Sequence, residues 1–242
     1  MPRFFIDDLP ENGIITLKGE NAVHIGRSLR SRIGDRLILC RQGTEYETEI
    51  VSFTKDTVSC RVISSSLSDS EPNVRLTLLC ALPKSDKAET VIQKCTELGA
   101  SSFVFFETGR CVARFGDSKN KIDRFQKVAL EAAKQSGRGI IPSVTKADSF
   151  EDALKILQNA DVSLFCYEKT EGRSVRFSDI KDKICTASSI AVMTGPEGGF
   201  DPNEAEKAAL SADLLWLGKR ILRCETAPIA VTSALMMLCG EL

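Results

Sequence analysis

Hydrophobic and polar positions alternate over short stretches in the first 70 residues, as they do in half-buried β-strands. Five β-branched or aromatic runs are separated by turn residues, and only residues 20–30 have a helical pattern. The five runs are residues 3–6, 13–18, 36–40, 44–53 and 57–63. Short antiparallel strands at regular spacing predict a small β-barrel.

A serine-rich stretch, residues 64–72, follows these strands and ends at Pro72. Small polar residues closed by a proline are typical of a linker. We therefore expect a small domain over residues 1–70 and a larger one over residues 73–242.

Beyond this stretch, nearly continuous apolar runs alternate with amphipathic helical segments. The predicted strands are residues 74–82, 102–107, 162–167, 190–194 and 214–217, and the last helix begins near Thr226. Strands that are apolar throughout and alternate with helices imply a parallel sheet covered on both faces. The larger domain is therefore predicted to be of the α/β class.

The last helix has no polar face. Between Pro228 and Cys239 only Thr232 and Ser233 are polar. Such a helix must be buried, either centrally or against another subunit. We favour a subunit interface, because terminal segments usually lie at the edge of a fold.

Composition indicates a globular protein of nearly neutral charge. Hydrophobic residues make up 43% and charged residues 27% of the 242 residues, and the formal net charge is −1. No apolar run is long enough to span a membrane, and the amino terminus lacks the order of a signal peptide. We therefore expect a cytoplasmic protein with no membrane partner.

Basic residues are concentrated in one segment. Residues 23–41 contain one acid, Asp35, and the five arginines Arg27, Arg30, Arg32, Arg36 and Arg41. In a chain of net charge −1, this asymmetry suits contacts with nucleic-acid phosphates. The alternative is an ordinary solvated helix face.

The cysteines and the single histidine limit the possible chemistry. The nine cysteines contain no C-x-x-C pair and mostly have apolar neighbours, which predicts reduced, packed thiols. With His24 as the only histidine, zinc sites rich in histidine and H-E-x-x-H proteases are excluded. We expect no metal, and chemistry carried out by carboxylates, Arg or Lys, backbone amides or a cofactor.

Three loops are candidates for a ligand site, because ligands of open parallel sheets bind beyond the carboxyl ends of the strands. They are the segment after residues 164–168, the glycine-rich residues 195–200, and residues 217–226. Neither a P-loop nor a G-x-G-x-x-G fingerprint is present. The alternative for residues 195–200 is an ordinary turn. Without a resemblance, the pattern indicates only a nucleotide-binding α/β protein with an appended barrel.

Several motifs, in order along the whole chain, resemble the RsmE family of bacterial 16S ribosomal RNA uridine N3-methyltransferases in the SPOUT superfamily. They are Arg3-Phe4, His24 with Arg27 and Arg30, Gly34-Asp35, residues 94–99, residues 131–138, Gly195-Pro196-Glu197-Gly198-Gly199-Phe200, Leu217-Gly218, Arg220-Ile221-Leu222-Arg223 and Glu225-Thr226-Ala227. Lys134 and Cys224 are mild departures from the family pattern.

The resemblance implies a fold, a cofactor and partners. The fold is an N-terminal PUA-like, RNA-binding β-barrel followed by a SPOUT α/β domain with a parallel sheet and a deep trefoil knot. The cofactor is S-adenosyl-L-methionine, and the assembly is a homodimer. The substrate is 16S ribosomal RNA, within the small ribosomal subunit, methylated at N3 of a uridine in the decoding region.

The resemblance, the charge pattern and the chemistry of methyl transfer together indicate roles for individual residues. Cofactor binding falls to Phe165, Tyr167, Glu168, Gly195, Pro196, Glu197, Gly198, Gly199, Leu217, Gly218, Arg220, Ile221, Leu222, Thr226 and Ala227. RNA binding falls to Arg3, His24, Arg27, Arg30, Arg32, Arg36 and Arg138. Arg223 is expected to stabilise the anionic uracil, and Glu225 to orient it or accept its proton. The alternative for Arg223 and Glu225 is a salt bridge with helix capping ahead of Pro228.

Two other functions stay open at this point. The same fold and donor serve knotted methyltransferases that act on transfer RNA or large-subunit RNA. A second alternative is a non-catalytic RNA-binding assembly factor, although the complete donor loops argue against that role.

Overall fold

The computed structural model describes residues 1–116, 118–168 and 174–242, which form two compact units. The first unit comprises residues 1–71 together with 133–141, and the second comprises residues 72–132 and 142–242. The composition of residues 133–141 gives no sign that this segment belongs with the amino-terminal strands.

The first unit is built on a five-stranded sheet with the order β1-β3-β4-β5-β2. Its elements are β1 (Arg3–Phe5), β2 (Ile14–Lys18), α1 (Gly19–Val23) with a π-helical turn over His24–Ser28, β3 (Arg36–Arg41), β4 (Thr44–Phe53) and β5 (Thr57–Leu67). Alternate strand residues such as Phe4, Leu39 and Ile50 fill its core. The expected amino-terminal PUA-like unit is confirmed, as a half-barrel in which β1 and β2 are the sheet edges.

Two expectations for this unit were wrong in detail. The first strand pairs with β3 in parallel, whereas antiparallel strands were expected. Parallel neighbours need a crossover connection, which here contains β2 and α1. The predicted linker begins too early: β5 continues to Leu67, which pairs with Thr44 of β4. This pairing satisfies the backbone groups of residues 64–67, which a solvated linker would leave to water.

The second unit has a six-stranded parallel sheet with the order β11-β9-β10-β6-β7-β8. Its elements are β6 (Arg75–Ala81), α2 (Lys87–Glu97), β7 (Ser102–Phe106), α3 (Ser118–Ser136, of which residues from 133 belong to the first unit), β8 (Ser143–Lys146), α4 (Phe150–Gln158), β9 (Val162–Cys166), α5 (Lys181–Cys185), β10 (Ser189–Thr194), α6 (Pro202–Ala209), β11 (Asp213–Leu215) and α7 (Thr226–Cys239). The α/β class is confirmed. The sequence analysis missed β8 and α5, which are short and mostly polar. The trefoil knot stays a prediction.

The helix that follows the glycine-rich loop, α6, has a well-defined start. At α6 the Asp201 carboxylate accepts a hydrogen bond from the Asn203 N–H, and the Asp201 N–H donates to Glu204. This reciprocal cap fixes where the loop of residues 195–200 ends.

The apolar helix α7 packs against α2, α5 and the sheet. Leu235 and Met236 are buried there, whereas Met237 is 65% exposed and Ala230 is also exposed. One side of a helix without charged residues therefore faces outward from this chain.

Candidate active site

A cavity of about 410 Å³ lies at the carboxyl ends of β9, β10 and β11. These three strands are neighbours in the sheet and run parallel, so the loops that follow them meet at one edge. A cavity of this size is within the usual range of small-molecule sites, about 300–1,000 Å³.

Most of the predicted cofactor residues line this cavity. They are Tyr167, Glu168, Gly195, Pro196, Glu197, Gly199, Leu217, Gly218, Arg220, Ile221, Leu222 and Ala227, together with the predicted catalytic Arg223. The structure therefore brings the three candidate loops together around one space.

Four predicted residues are not on the cavity wall. Phe165 is fully buried, with its ring centroid 4.4 Å from that of Phe200, so it supports the wall from behind. Gly198 lies against Arg110, and Glu225 and Thr226 lie at the start of α7.

The sequence analysis missed seven wall residues: Lys87, Cys166, Thr194, Phe200, Leu215, Trp216 and Cys224. Six of them adjoin or lie within the candidate loops, so their closeness in sequence to these loops could have identified them as wall residues. Lys87 comes from α2, far away in sequence, and only the tertiary fold brings it to the cavity.

Glycine is required in the wall for two different reasons. A Cβ at Gly195 would lie 3.0 Å from the Phe200 ring, so the ring and the backbone are in close contact. Gly218 has a φ of 102°, which side-chain-bearing residues rarely adopt, and a Cβ there would meet no atom within 4 Å. The backbone at Gly218 therefore faces open space that a ligand can occupy.

A charged cluster stands beside the cavity. The Lys87 ammonium donates to Glu197 Oε1 at 3.0 Å and lies 3.2 Å from Glu225 Oε2. Glu197 also accepts from the Lys84 N–H, and the Cys224 thiol donates to Glu225 at 3.2 Å. Two of the cavity loops thus share one ammonium group from α2.

The pKa values follow from these contacts. Burial opposes ionisation of Glu197, but hydrogen bonds from its own backbone, Lys87 and Lys84 outweigh it and lower its pKa to about 2. The pKa of Glu225 is lowered against burial by its own backbone N–H, Cys224 and Lys87. Burial and the neighbouring Glu225 raise the pKa of Cys224 to about 12. Both carboxylates are therefore ionised and the thiol is neutral at neutral pH.

Arg223 lines the cavity with an exposed side chain. Its carbonyl accepts from the Thr226 and Ala227 N–H groups, at 2.9 and 3.0 Å, which joins its backbone to the first turn of α7. No carboxylate forms an ion pair with Arg223 among residues 1–116, 118–168 and 174–242. The Arg223–Glu225 salt bridge considered as an alternative is thus not formed; Glu225 is bound to Lys87.

In the first unit, four predicted RNA-binding residues have exposed side chains. His24, Arg27, Arg30 and Arg32 are exposed on or just after the π-helical turn. Arg36 is 58% exposed and pairs with Glu47 at 2.7 Å.

Arg138 and Arg3 occupy different environments from those expected. Arg138 is only 3% exposed, and its guanidinium forms two hydrogen bonds with the Glu71 carboxylate, the shorter being 2.6 Å. Arg3 pairs with Glu45 at 2.6 Å with 13% of its side chain exposed. Burial in ion pairs of the first unit argues against phosphate contacts, so we correct these two residues to structural roles.

The thiols and the possible metal ligands in the described part of the chain form no metal cluster. All nine cysteines are free: five are buried, and Cys185 is exposed. Among the residues that the structure describes, no three His, Cys, Asp or Glu side chains are grouped so as to hold a metal ion. Within the same ranges, no helix is long and apolar enough to cross a membrane.

Comparison with known proteins agrees with this architecture. Family models described as "RNA methyltransferase PUA domain" and "RNA methyltransferase domain" match residues 17–63 and 70–236. Fold and site thus define a two-domain RNA methyltransferase.

Two curated relatives are each named Ribosomal RNA small subunit methyltransferase E. The Bacillus subtilis protein is 37% identical, with 97% of this chain and 96% of the relative covered. The Rickettsia conorii protein is 33% identical, with 98% and 95% covered. A crystal structure of the Neisseria gonorrhoeae enzyme of that name, bound to S-adenosyl methionine, has a TM-score of 0.86 and 26% identity, with 98% of both chains covered. The chain belongs to the ribosomal RNA small subunit methyltransferase E family.

Proposed function

We propose that this protein transfers a methyl group from S-adenosyl-L-methionine to N3 of a uridine in the decoding region of 16S ribosomal RNA. The observation that carries the proposal is the cavity at the carboxyl ends of β9, β10 and β11, walled by the three loops. The relatives named as small-subunit ribosomal RNA methyltransferases, and the neighbour bound to S-adenosyl methionine, support it.

The cavity is lined by glycine backbone together with apolar and charged side chains. Such a lining suits a ligand that has an adenosyl group and charged groups. Backbone groups of Gly195, Gly199, Leu217, Ile221 and Leu222 would hold it, and the open space beside Gly218 leaves room for close approach. When bound, S-adenosyl-L-methionine supplies an activated methyl on a sulfonium. No metal or covalent intermediate is therefore required of the protein.

N3 of uridine carries a proton and becomes nucleophilic only when that proton leaves. Arg223, exposed on the cavity wall without an ion-pair partner among the described residues, would stabilise the negative charge that develops on the uracil. The lowered pKa of Glu225 makes its carboxylate a weak base, which favours the orienting role over proton acceptance.

RNA contacts would come from the amino-terminal unit. The exposed side chains of Arg27, Arg30, Arg32 and His24 lie within one short segment, next to the paired Arg36. Such a cluster positions phosphates without reading base sequence. Assembled small subunits in the cytoplasm, where free thiols stay reduced, would be the setting.

A homodimer would cover the outward side of α7. This side presents Ala230 and Met237, and the helix has no charged residue between Thr226 and Cys239. A second copy of this chain, related by a two-fold axis, offers the same apolar surface in return.

Incubation with isotopically labelled methyl donor tests the proposal. Purified protein is mixed with assembled small subunits, naked 16S RNA, large-subunit RNA or transfer RNA, and the modified base is mapped by mass spectrometry. Label at uridine N3 in small-subunit RNA is expected. Label confined to another RNA would assign a different substrate, and donor binding without label on any RNA would favour an assembly factor.

A further inference from the structure

Lys87 stands apart from the other lysines on the helices near the cavity. It is the first residue of α2, and its ammonium contacts two carboxylates that belong to two different loops. Lys94, on the same helix, pairs with Glu97 one turn away and with no other carboxylate among the described residues. Most surface pairs of that kind contribute little, whereas the contacts of Lys87 join separate parts of the candidate site.

The charges in the cluster do not cancel. One ammonium faces Glu197 and Glu225, and the neighbouring Cys224 thiol, 3.6 Å from the Lys87 nitrogen, is neutral. Both carboxylates lie within 3.2 Å of the same nitrogen. Without that nitrogen, two like charges would be left close together beside a partly buried cavity.

We propose that Lys87 is a positioning residue for methyl transfer, whose ammonium holds Glu197 and Glu225 together and fixes the Glu225 carboxylate at the start of α7. This inference rests on the proposed function for its catalytic meaning. In this scheme Lys87 acts through Glu225.

The contacts of Lys87 determine the direction in which its loss shifts the titration of Glu225. The groups facing Glu225 are Lys87 from α2, Glu197 from the loop after β10 and Cys224 from its own loop. Its own backbone N–H, the Cys224 thiol and the Lys87 ammonium together lower the pKa of Glu225 against burial, so the charged carboxylate persists as pH falls. In Lys87→Met the carboxylates of Glu197 and Glu225 repel each other without a counter-charge, which raises the pKa of Glu225. As the pH is lowered, Glu225 therefore becomes protonated at a higher pH than in the wild type.

The experiment compares wild type, Lys87→Met, Lys87→Arg and Lys87→Met/Glu197→Gln, with Lys94→Met as the matched control from the same helix. Carbon NMR of labelled glutamate carboxyl groups follows the titration of Glu225, assigned by loss of its signal in Glu225→Gln. The pH profile of kcat/KM on small subunits is measured in parallel, together with donor affinity by calorimetry.

The Glu225 titration and the acid limb of kcat/KM are expected to move up by about 1 pH unit or more in Lys87→Met. Both should return towards wild type in Lys87→Arg, and the Glu225 titration should also return in the double variant, which removes the competing carboxylate. Lys94→Met should leave both unchanged. A uniform drop in activity with unmoved titration would reduce Lys87 to a structural role and overturn the proposal. Failure of the wild type to methylate any RNA would refute the proposed function, while the NMR titration would still decide whether Lys87 controls Glu225.

Discussion

At the scale of single residues, the cavity depends on positions where a side chain cannot be added. The backbone of Gly195 is in contact with the Phe200 ring, and Gly218 has a φ of 102° beside open space. The two glycines therefore serve the same wall for different reasons, one steric and one conformational.

Gly195→Ala is expected to weaken binding of S-adenosyl-L-methionine, because the new Cβ must displace the Phe200 ring at 3.0 Å. Gly218→Ala should instead lower the free energy of unfolding by about 1–3 kcal/mol, through the strained φ. Calorimetry with the donor and thermal unfolding separate the two effects. Equal donor affinity in Gly195→Ala and wild type would contradict the steric argument.

Arg223→Ala should leave donor affinity nearly unchanged but reduce kcat by about 10²–10³-fold, the usual cost of losing one charge-stabilising group. Arg223 lines the cavity, whereas Lys219 of the same loop does not, so Lys219→Ala is the matched control. Single-turnover methylation assays measure the difference. A normal rate in Arg223→Ala would remove this residue from the mechanism.

At the scale of elements, residues 133–141 belong to the first unit, where hydrogen bonds join them to Glu71. Glu71 Oε1 accepts from the Gly139 and Ile140 N–H groups at 2.9 and 3.0 Å, and Arg138 binds the same carboxylate. The side chain of Glu71 is 16% exposed, so this charge depends on Arg138 for compensation.

Arg138→Met should lower the free energy of unfolding by about 3–5 kcal/mol, because it leaves a nearly buried carboxylate without its counter-charge. Arg36→Met is the control: its pair with Glu47 is largely solvated, and its loss should cost less than about 1 kcal/mol. Urea denaturation compares the two. A small effect of Arg138→Met would return this residue to the candidates for RNA contact.

A second prediction at this scale concerns the outward side of α7, which we propose as the dimer interface. Met237→Lys places a charge on the apolar surface proposed as the dimer interface, where desolvation of a lysine is unfavourable. The variant is expected to dissociate, with sedimentation velocity showing a monomer where the wild type is a dimer. Lys219→Ala, away from this helix, should sediment as the wild type does. A wild type that is monomeric at all concentrations would refute the dimer.

At the scale of the whole molecule, a net charge of −1 cannot attract RNA over long distances. RNA binding must therefore depend on local charge, and the source that we propose is the three exposed arginines of residues 24–32.

If Arg27, Arg30 and Arg32 each neutralise one phosphate, the logarithm of RNA affinity should fall against the logarithm of salt concentration with a slope of about −2 to −3. The triple alanine variant should bring this slope close to zero. Fluorescence anisotropy with an RNA fragment over a salt series gives both values. A steep slope in the triple variant would place the phosphate contacts elsewhere.

The order and type of most helices and strands could be predicted from the local pattern of apolar and polar residues. The β-branched runs before residue 70 and the continuous apolar runs after residue 74 specify strands of two kinds, and the cap at Asp201-Pro202 marks the start of α6. The pairing partners were less accessible: β5 extends through serines because β4 is long enough to pair with them. Register and pairing depend on what lies opposite, which a single segment does not contain.

The succession of elements, the α/β class of the larger unit and the three candidate loops could be predicted from the chain alone, because they follow from short-range periodicity and from the backbone freedom of glycine. The individual residues of the cavity wall came from the family resemblance. Only the tertiary structure brought Lys87 to Glu197 and Glu225, and buried Arg138 against Glu71. An ion pair depends on the distance between groups in space, and residues at least 67 positions apart in sequence come that close only when the sheet and its loops are assembled.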